Sequence, residues 1–336
     1  MEYAPLLRRL LGGERLSEDD AASMVGEIMD GSFSAVQAAG LLTALAARGE
    51  TYEEIAGAAR AMRGRSLHVE HGLPLVVDVV GTGGDNANTI NISTMTALTV
   101  AAAGIPVAKH GNRAASSACG SADVLEACGM QIDLEPGHAA RTLAESGFTF
   151  MFAPRYHPAM KNVAPVRREL GVRTIFNVLG PVTNPARATH QVVGVAREEH
   201  IELIGAALRS LGVRGGAVVH AASGMDEVSG EGPTTVFTFD ENESRRWTLD
   251  PARFGVRAPA TALYGGSVAA CKDAFERILS GERSERSDVV ALNAALALST
   301  CGRARNLQDG LELARTLLHE GRAGEVFARA KQLSHE

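Results

Sequence analysis

The chain has 336 residues, of which 45% are hydrophobic, 21% charged and only 4% aromatic, and its formal net charge is −6. This composition is typical of a globular protein with a sizeable core, and the acidic balance with few aromatic rings disfavours a general nucleic-acid binder. No apolar run approaches the roughly 18 residues needed to span a bilayer and no secretory leader opens the chain, so we expect a cytoplasmic protein.

The first 65 residues are predicted to be helical. Ser17 precedes apolar residues at helical spacing, Ser34 opens a second such segment, and Thr51 to Glu54 form a capping box before a third. These short helices are rich in Ala and Gly and leave apolar surface over. Either the rest of the chain or a second subunit could cover that surface.

From Leu73 onward, predicted strands and helices alternate, which indicates an α/β domain with a central, mostly parallel sheet. The change of pattern near His71–Pro74 predicts a helical domain over 1–71 and an α/β domain over 72–336. The predicted strands cover 75–80, 105–108, 148–152, 190–196 and 217–221, with a further pair over 234–240 and 246–249 that could form a hairpin. The predicted helices after the first domain begin near Met95, Ser121, Glu198, Ser267, Val289, Leu307 and Ala323.

A glycine-rich turn, Gly81-Thr82-Gly83-Gly84-Asp85, ends the first apolar run. Ser93 is a plausible N-cap of the helix that follows. Glycines let backbone N–H groups approach an oxyanion closely, and the dipole of a helix favours negative charge at its N-terminus. Alone the turn is a weak signal, since it matches neither the dinucleotide fingerprint nor a P-loop. Together with the helix it predicts a phosphate site.

A second polar cluster, Lys109-His110-Gly111-Asn112-Arg113, follows about one strand–helix unit later. The carboxyl ends of neighbouring parallel strands meet at one crevice, so both clusters could line one pocket. When Lys109 or Arg113 is considered alone, a solvated surface charge explains it at least as well as a binding role does.

Two adjacent carboxylates, Asp226 and Glu227, follow the strand that ends at Ala221. Such a pair is often a solvated acidic corner. At the edge of a phosphate site the pair can instead hold Mg²⁺, whose coordination shell is then completed by oxygens of the substrate.

A polar segment from His157 to Leu170 is predicted to be a surface or cleft helix broken at Pro165, on which His157 and Arg167 fall within about 80° of each other. Arg167 could grip a carboxylate with two hydrogen bonds, or be an ordinary solvated residue. Residues 177–185 are predicted to be a rigid turn region bordering the same cleft.

A series of motifs in this chain resembles that of the anthranilate phosphoribosyltransferases of tryptophan biosynthesis. In chain order the motifs are the glycine turn, Asn91-x-Ser93-Thr94, Lys109 to Arg113, His157-Pro158-Ala159-Met160, Arg173-Thr174-x-Phe176-Asn177-x-Leu179-Gly180-Pro181 and Asp226-Glu227. The resemblance implies a helical domain that receives a segment from 160–185, and a homodimer formed through it. It also implies transfer of the phosphoribosyl group of 5-phosphoribosyl 1-diphosphate (PRPP) to the amino group of anthranilate.

The resemblance further implies the residues of the site. Ser93, Asp226 and Glu227 would be linked to magnesium, with two ions per subunit. Anthranilate would contact Gly81, Asn112 and Arg167, with His110, His157 and Pro181 along its route. The PRPP site would comprise Gly81, Gly84, Asp85, Thr89, Asn91, Ile92, Ser93, Thr94, Lys109, His110, Gly111, Asn112, Arg113, Ala114, Ala115, Ser116, Ser117 and Ser121.

One departure from the family concerns the phosphate loop, where many members carry Ser-Ser-Lys-Ser-Gly-Ser. This chain has Ser116-Ser117-Ala118-Cys119-Gly120-Ser121, so it must hold phosphate without that lysine. Two other readings stay open. A pyrimidine nucleoside phosphorylase would use free phosphate on a nucleoside without needing the acidic pair, and a nucleic-acid-binding relative would lack the pair and carry a basic stripe.

Overall fold

The structure is a computed structural model, and it describes residues 1–114 and 117–336. Four helices open the chain: α1 (Tyr3–Leu11), α2 (Glu18–Met29), α3 (Ala35–Arg48) and α4 (Tyr52–Arg63). The predicted starts are confirmed, because the Ser17 hydroxyl accepts from the amide of Asp20 and both Ser34 and Thr51 form capping boxes.

Glu54 shows why these helices pack as one unit. Besides closing its capping box, its fully buried carboxylate accepts hydrogen bonds from the Leu16 amide at 2.7 Å and from Nη2 of Arg48 at 2.5 Å. A buried carboxylate is tolerated only when its oxygens are satisfied. One side chain therefore joins the start of α2, the end of α3 and the start of α4.

The remaining helices surround a sheet or extend the helical layer. They are α5 (Ile92–Ala102), α6 (Ser121–Ala127), α7 (Pro136–Ser146), α8 (Ala153–Tyr156), α9 (Ala164–Leu170), α10 (Phe176–Val182), α11 (His200–Ser210), α12 (Ala260–Leu263), α13 (Val268–Leu279), α14 (Glu285–Thr300), α15 (Leu307–His319) and α16 (Arg322–Ser334), with 3₁₀ turns at Pro158–Asn162 and Pro251–Phe254. Across the part of the chain that the structure describes, no helix is long and apolar enough to cross a membrane.

Within the described residues, seven strands form one mixed sheet in the order β3-β2-β1-β4-β5-β6-β7. The first five are parallel and the last two are antiparallel, so the mostly parallel sheet and the hairpin are confirmed. The strands are β1 (Val77–Gly81), β2 (Val107–Gly111), β3 (Phe148–Phe152), β4 (His190–Gly194), β5 (Gly215–Ala221), β6 (Thr234–Asp240) and β7 (Ser244–Leu249). The strand order reverses at β1, and ligands bind where an open parallel sheet changes direction.

The two faces of the sheet are covered by different layers. One apolar cluster joins the sheet to α5, α6 and α13–α16. The other joins α1–α4 to the opposite face through α9, α10 and α11, with Val163, Val166 and Phe176 in the same cluster as Leu41 and Leu45. Residues from 163–182 therefore lie against the first helices. The space between this segment and the sheet opens at the carboxyl ends of β1 and β2.

Local structure differs from the sequence-based expectation at two helix starts. The N-cap of α5 is Asn91 rather than Ser93, because the amide of Ser93 is taken by Glu227, a residue far away in the sequence. Pro165 does not break a helix but lies in the first turn of α9, where a missing N–H costs nothing.

The segment from His157 to Val182 also differs from its expected form. His157 precedes the 3₁₀ turn and Arg167 lies in α9, so the angle expected from a single helix does not apply. The region expected to be a turn contains the seven-residue helix α10, with Pro181 inside it.

Candidate active site

A cleft of about 1060 Å³ lies at the carboxyl ends of the central strands, between the sheet and the segment from Ala153 to Pro181. It brings together most of the residues expected from the sequence. Those lining it are Gly81, Gly84, Asp85, Thr89, Asn91, Ser93, Lys109, His110, Gly111, Asn112, Arg113, Ala114, Ser117, Ser121, His157, Arg167, Pro181, Asp226 and Glu227.

Two expected residues of the described structure, Ile92 and Thr94, do not line the cleft. Ile92 and Thr94 are fully buried behind its wall, and their amides donate to the carbonyls of Ile90 and Asn91 within the first turn of α5. Ala115 and Ser116 lie outside the described residues.

The glycine turn after β1 is built around the acidic pair. The amide of Gly83 donates to Oδ2 of Asp226 at 2.7 Å, and a Cβ at Gly81 would clash with the same carboxylate. Gly84 has a φ of +78°, a conformation that side chains disfavour. Glycine is needed here for the close approach of the two segments.

Asp85, Asp226 and Glu227 concentrate negative charge at one point of the cleft. Desolvation, followed by repulsion from Asp85, raises the pKa of Asp226 to about 7, and burial raises the pKa of Glu227 well above its usual value. Oε1 of Glu227 accepts from the amide of Ser93 at 3.0 Å, whereas its buried Oε2 has no hydrogen-bond partner among the described residues.

This carboxylate arrangement fits a cation whose shell is shared with a ligand. No cluster of three or more His, Cys, Asp or Glu side chains suited to a metal occurs among residues 1–114 and 117–336. Mg²⁺ is commonly bound through one or two carboxylates plus phosphate oxygens and water. Asp226 and Glu227, with the free Oε2 of Glu227, match that pattern.

Lys109 is the buried cation of the site and is only 2% exposed. Its ammonium group donates to the carbonyl of Val79 at 2.6 Å and to Oγ of Ser93 at 3.2 Å. Burial lowers the pKa of Lys109, while the charges of Asp78, Glu227 and Asp226 oppose that shift. The lysine thus places positive charge between the two strand ends and orients the Ser93 hydroxyl.

A buried carboxylate on β1 supports this arrangement from beneath. Asp78 accepts from the His110 amide at 3.2 Å and from Nδ2 of Asn184 at 2.7 Å, and Nδ2 of Asn184 also donates to the carbonyl of Ala108 at 2.8 Å. Desolvation raises the pKa of Asp78 to about 6, although Lys109 and these hydrogen bonds oppose the shift. The network holds β1 and β2 in register below the cleft.

Two buried histidines form a chain of hydrogen bonds along one wall. Nδ1 of His110 lies 3.1 Å from the carbonyl of Gly180, and its Nε2 lies 3.2 Å from Nε2 of His157. Burial lowers the pKa of His110 to about 4 and that of His157 to about 2, so both rings are neutral. Because a carbonyl only accepts, His110 carries its proton on Nδ1 and His157 donates from Nε2.

The loop after β2 is held by acidic side chains. Asp123 accepts from the amides of Ala114 and Gly120, each at 2.9 Å. The guanidinium of Arg113 pairs with Asp123 at 3.1 Å and Glu126 at 2.7 Å, so its charge is largely neutralised. Arg113 therefore lines the cleft while it braces this loop.

Arg167 has a different environment. Its guanidinium lies over the ring of Phe176 at 6.0 Å from the centroid, and burial lowers its pKa. It forms no ion pair with a described carboxylate, so its charge is available on the cleft wall. A planar cation held in this way suits a carboxylate ligand.

Several cleft residues were not assigned to the site from the sequence. Arg173 is the clearest, since its Nη2 donates to the carbonyl of Gly83 at 3.3 Å and packs against Gly84. It connects the segment between α9 and α10 to the glycine turn. Its place in the Arg-Thr-x-Phe-Asn motif was the available signal. The others include Asn88, Lys161 and Cys119.

Comparisons with known proteins match nearly the whole length of the chain. Residues 4–66 match the helical bundle domain of a glycosyl transferase family, and residues 73–324 match the α/β domain of that family. The anthranilate phosphoribosyltransferase of Thermomicrobium roseum is 49% identical over 98% of this chain and 96% of that protein.

Solved structures agree with these matches. The crystal structure of the anthranilate phosphoribosyltransferase from Thermus thermophilus has a TM-score of 0.94 and 42% identity, covering 98% of this chain and 99% of that one. The Saccharomyces cerevisiae enzyme in complex with PRPP and Mg has a TM-score of 0.90 and 26% identity, covering 99% of both chains.

Proposed function

This chain belongs to the anthranilate phosphoribosyltransferase family, and we propose that the cleft described above is where it carries out the family reaction. The enzyme transfers the phosphoribosyl group of PRPP to the amino group of anthranilate, giving N-(5-phosphoribosyl)anthranilate and diphosphate, a step of tryptophan biosynthesis. The observation that carries the assignment of the site is the junction of glycine turn, Lys109 and acidic pair at one point.

In this proposal the glycine turn and the first turn of α5 bind the diphosphate. The backbone can approach its oxygens closely at Gly84, and the helix N-terminus favours their negative charge. Lys109 adds a buried positive charge. The described part of the loop after β2, from Asn112 to Ala114 with Ser117 and Ser121, closes the other side.

The enzyme uses Mg²⁺, and we propose two ions per subunit held by Asp226, Glu227 and Ser93. Held there, Mg²⁺ would supply the positive charge that makes diphosphate a good leaving group. The negative charge of Asp85 lies close enough to raise the pKa of Asp226, and the same charge would attract a cation to this point. Without a cation these carboxylates would repel the substrate.

Anthranilate is proposed to bind on the opposite wall. Arg167 would receive its carboxylate, with Gly81 and Asn112 adjacent, while His110, His157 and Pro181 line its route. Because both histidines are neutral, they do not compete with the guanidinium of Arg167 for the carboxylate of anthranilate.

The chemistry needs no strong base from the protein. An aromatic amine is weakly basic and already nucleophilic, and C1 of the ribose can carry cationic character as diphosphate departs. Orientation of the two substrates and electrostatic stabilisation then account for catalysis. We assign no residue as acid or base.

We further propose the domain organisation and assembly. The helical domain comprises 1–71 with a segment from 160–185, the α/β domain comprises 72–336, and two subunits associate through the helical part in the cytoplasm. Leu11 and Val36 support the contact, because these apolar side chains on α1 and α3 are 70% and 80% exposed.

An assay of two substrate pairs tests the function. The protein with Mg²⁺ should consume anthranilate and PRPP and release diphosphate in equal amounts, but it should not split thymidine with inorganic phosphate. Turnover of thymidine in place of anthranilate would assign the cleft to nucleoside phosphorolysis.

A further inference from the structure

Helix α14 carries one buried amide side chain in an otherwise apolar stretch. Asn293 is 5% exposed, and every other residue from Val289 to Leu298 is a buried apolar residue. Burying an amide costs free energy unless its donors and acceptors find partners. The hydrogen bonds of Asn293 therefore decide what this residue does.

These hydrogen bonds reach the turn that carries the acidic pair. Nδ2 of Asn293 donates to the carbonyl of Val228 at 3.0 Å, and Oδ1 of Asn293 accepts from the amide of Val228, also at 3.0 Å. Nδ2 donates as well to the carbonyl of Val289 at 2.9 Å, one turn earlier in α14. The orientation of the side-chain amide is thereby fixed, because the reverse orientation would set its oxygen against two carbonyls.

The contact fixes the backbone next to Glu227. The amide of Val228 belongs to the peptide bond that joins it to Glu227, and a peptide bond is planar. A side chain that binds both backbone polar groups of Val228 therefore restricts the backbone angle ψ of Glu227. Val228 is fully buried, so water does not compete for these groups.

The turn is held from the sheet on the other side of Glu227. A Cβ at Gly194 would overlap the carbonyl oxygen of Asp226, so the end of β4 lies directly against this backbone. The carboxylate of Asp226 accepts from the amide of Gly83. These contacts fix the residue before Glu227, and Asn293 fixes the residue after it.

Helix α14 also supports the group that binds the carboxylate of Glu227. The amide of Ser93 at the start of α5 donates to Oε1 of Glu227, and α5 packs directly on α14. The backbone of Glu227 and the partner of its side chain thus rest on the same helix. Its second oxygen, Oε2, has no hydrogen-bond partner among the described residues.

We propose that Asn293 is a positioning residue of the magnesium site. The proposal rests on the proposed function, because it takes Asp226 and Glu227 as residues that hold the metal. Asn293 does not line the cleft, so it acts by holding the Glu227 carboxylate in place rather than by contact with a ligand. Loss of a partner behind a metal-binding side chain commonly lowers metal affinity by roughly ten- to a hundredfold.

Binding of Mn²⁺ to the free protein tests this role without turnover, since the electron paramagnetic resonance signal of the free ion is lost on binding. Asn293→Leu keeps a branched side chain of similar length but leaves both backbone polar groups of Val228 without a partner. We expect the dissociation constant for Mn²⁺ to rise by roughly tenfold. In the transferase assay, the Mg²⁺ concentration that gives half of the maximal rate should also rise, with the KM for anthranilate unchanged.

Ser287→Ala is the matched control. Ser287 is also buried on α14, but its hydroxyl forms hydrogen bonds only with Ser284 at the start of the helix. Its loss should lower the stability of the protein and leave Mn²⁺ binding unchanged. If Asn293→Leu does not fold, Asn293→Ser takes its place. A helical serine can donate to the carbonyl four residues earlier, as Ser299 does to Ala295, but it is too short to reach the turn of the acidic pair.

Wild-type affinity for Mn²⁺ in a folded Asn293 variant would overturn the proposal. An equal loss of affinity in Ser287→Ala would overturn it too, because the effect would then follow the stability of the helix. The Asp226→Asn, Glu227→Gln variant identifies a failure of the proposed function. If that variant binds Mn²⁺ as tightly as the wild type, the ion lies elsewhere, and the metal site is refuted together with the role of Asn293.

Discussion

The amide of Gly83 donates a hydrogen bond of 2.7 Å to the carboxylate of Asp226, although 143 positions separate the two residues. The contact joins the two parts of the site that carry opposite roles, the turn that binds phosphate and the carboxylates suited to magnesium. A diphosphate held by the turn is therefore within reach of a cation on Asp226. This geometry favours the interpretation of Asp226 and Glu227 as a magnesium site for phosphoribosyl transfer. It disfavours the alternative that the two carboxylates are only a solvated acidic corner.

Replacing Arg167 tests the anthranilate wall. We expect Arg167→Ala to raise the KM for anthranilate by roughly ten- to a hundredfold, because a charge-assisted hydrogen bond contributes about 1.5–3 kcal/mol. The KM for PRPP should change little. Arg168→Ala is the matched control, since Arg168 is exposed one position further along α9. Equal effects on both substrates would remove Arg167 from this role.

Arg173 should act on the other substrate. The variant Arg173→Gln removes the cation that holds the Gly83 carbonyl and packs on Gly84, so the glycine turn should lose its fixed position. We expect steady-state kinetics to show an increase of roughly tenfold in the KM for PRPP. Arg197→Gln is the control, because Arg197 pairs with Glu199 outside this contact. A change confined to the anthranilate KM would contradict the assignment.

The two buried histidines should make stability depend on pH. The pKa of His110 is lowered to about 4 and that of His157 to about 2, so the folded protein holds both rings neutral while the unfolded chain protonates them below about 6.5. The contribution of the two histidines to the free energy of unfolding is full above that pH. It is lost as the pH falls, with a slope of up to about 1.4 kcal/mol per pH unit for each ring.

Asp78 acts in the opposite direction. Its raised pKa, about 6, favours the folded state as the pH falls from 6 toward 4. The change of stability with pH must therefore be compared between the wild type and a histidine variant, because both proteins contain Asp78 and its effect cancels. Urea unfolding from pH 7 to 5 should show that His157→Gln loses less stability on acidification than the wild type. Parallel curves would show that His157 titrates normally in the folded protein.

The subunit contact is testable through Val36. We expect the wild-type protein to sediment as a dimer at micromolar concentration and Val36→Glu to sediment as a monomer, because a charge would be buried against the second subunit. Val268→Glu on α13 is the control, since Val268 is also partly exposed but belongs to the α/β domain. A wild-type monomer under these conditions would exclude the dimer.

Much of the fold could be predicted from local patterns. The capping boxes at Ser34 and Thr51, the apolar run before Gly81 and the hairpin after Thr234 each depend on neighbouring residues. The N-cap of α5 could not be predicted in this way, because Glu227 takes the amide of Ser93 from 134 positions away. The helix α10 was missed since Pro181 lies inside it, where proline is normally excluded.

The site shows the same division. Lys109 and the acidic pair follow predictable strands, and the parallel sheet brings strand ends together. The neutralisation of Arg113 by Glu126 and the contact of Arg173 with Gly83 depend on the packing of loops, which no local pattern encodes. Ile92 and Thr94 were expected in the site from the family resemblance, yet helical rotation turns their side chains into the core.

The most direct measurement of the central claim is a magnesium titration of diphosphate release from anthranilate and PRPP, with the wild-type protein and the Asp226→Asn, Glu227→Gln variant. The account predicts saturable dependence on Mg²⁺ in the wild type. The variant should lose turnover by roughly a hundredfold or more, as expected when charge stabilisation in the transition state is removed, and should need more Mg²⁺ to reach half of its rate. Equal turnover with unchanged magnesium dependence in the variant would contradict the account.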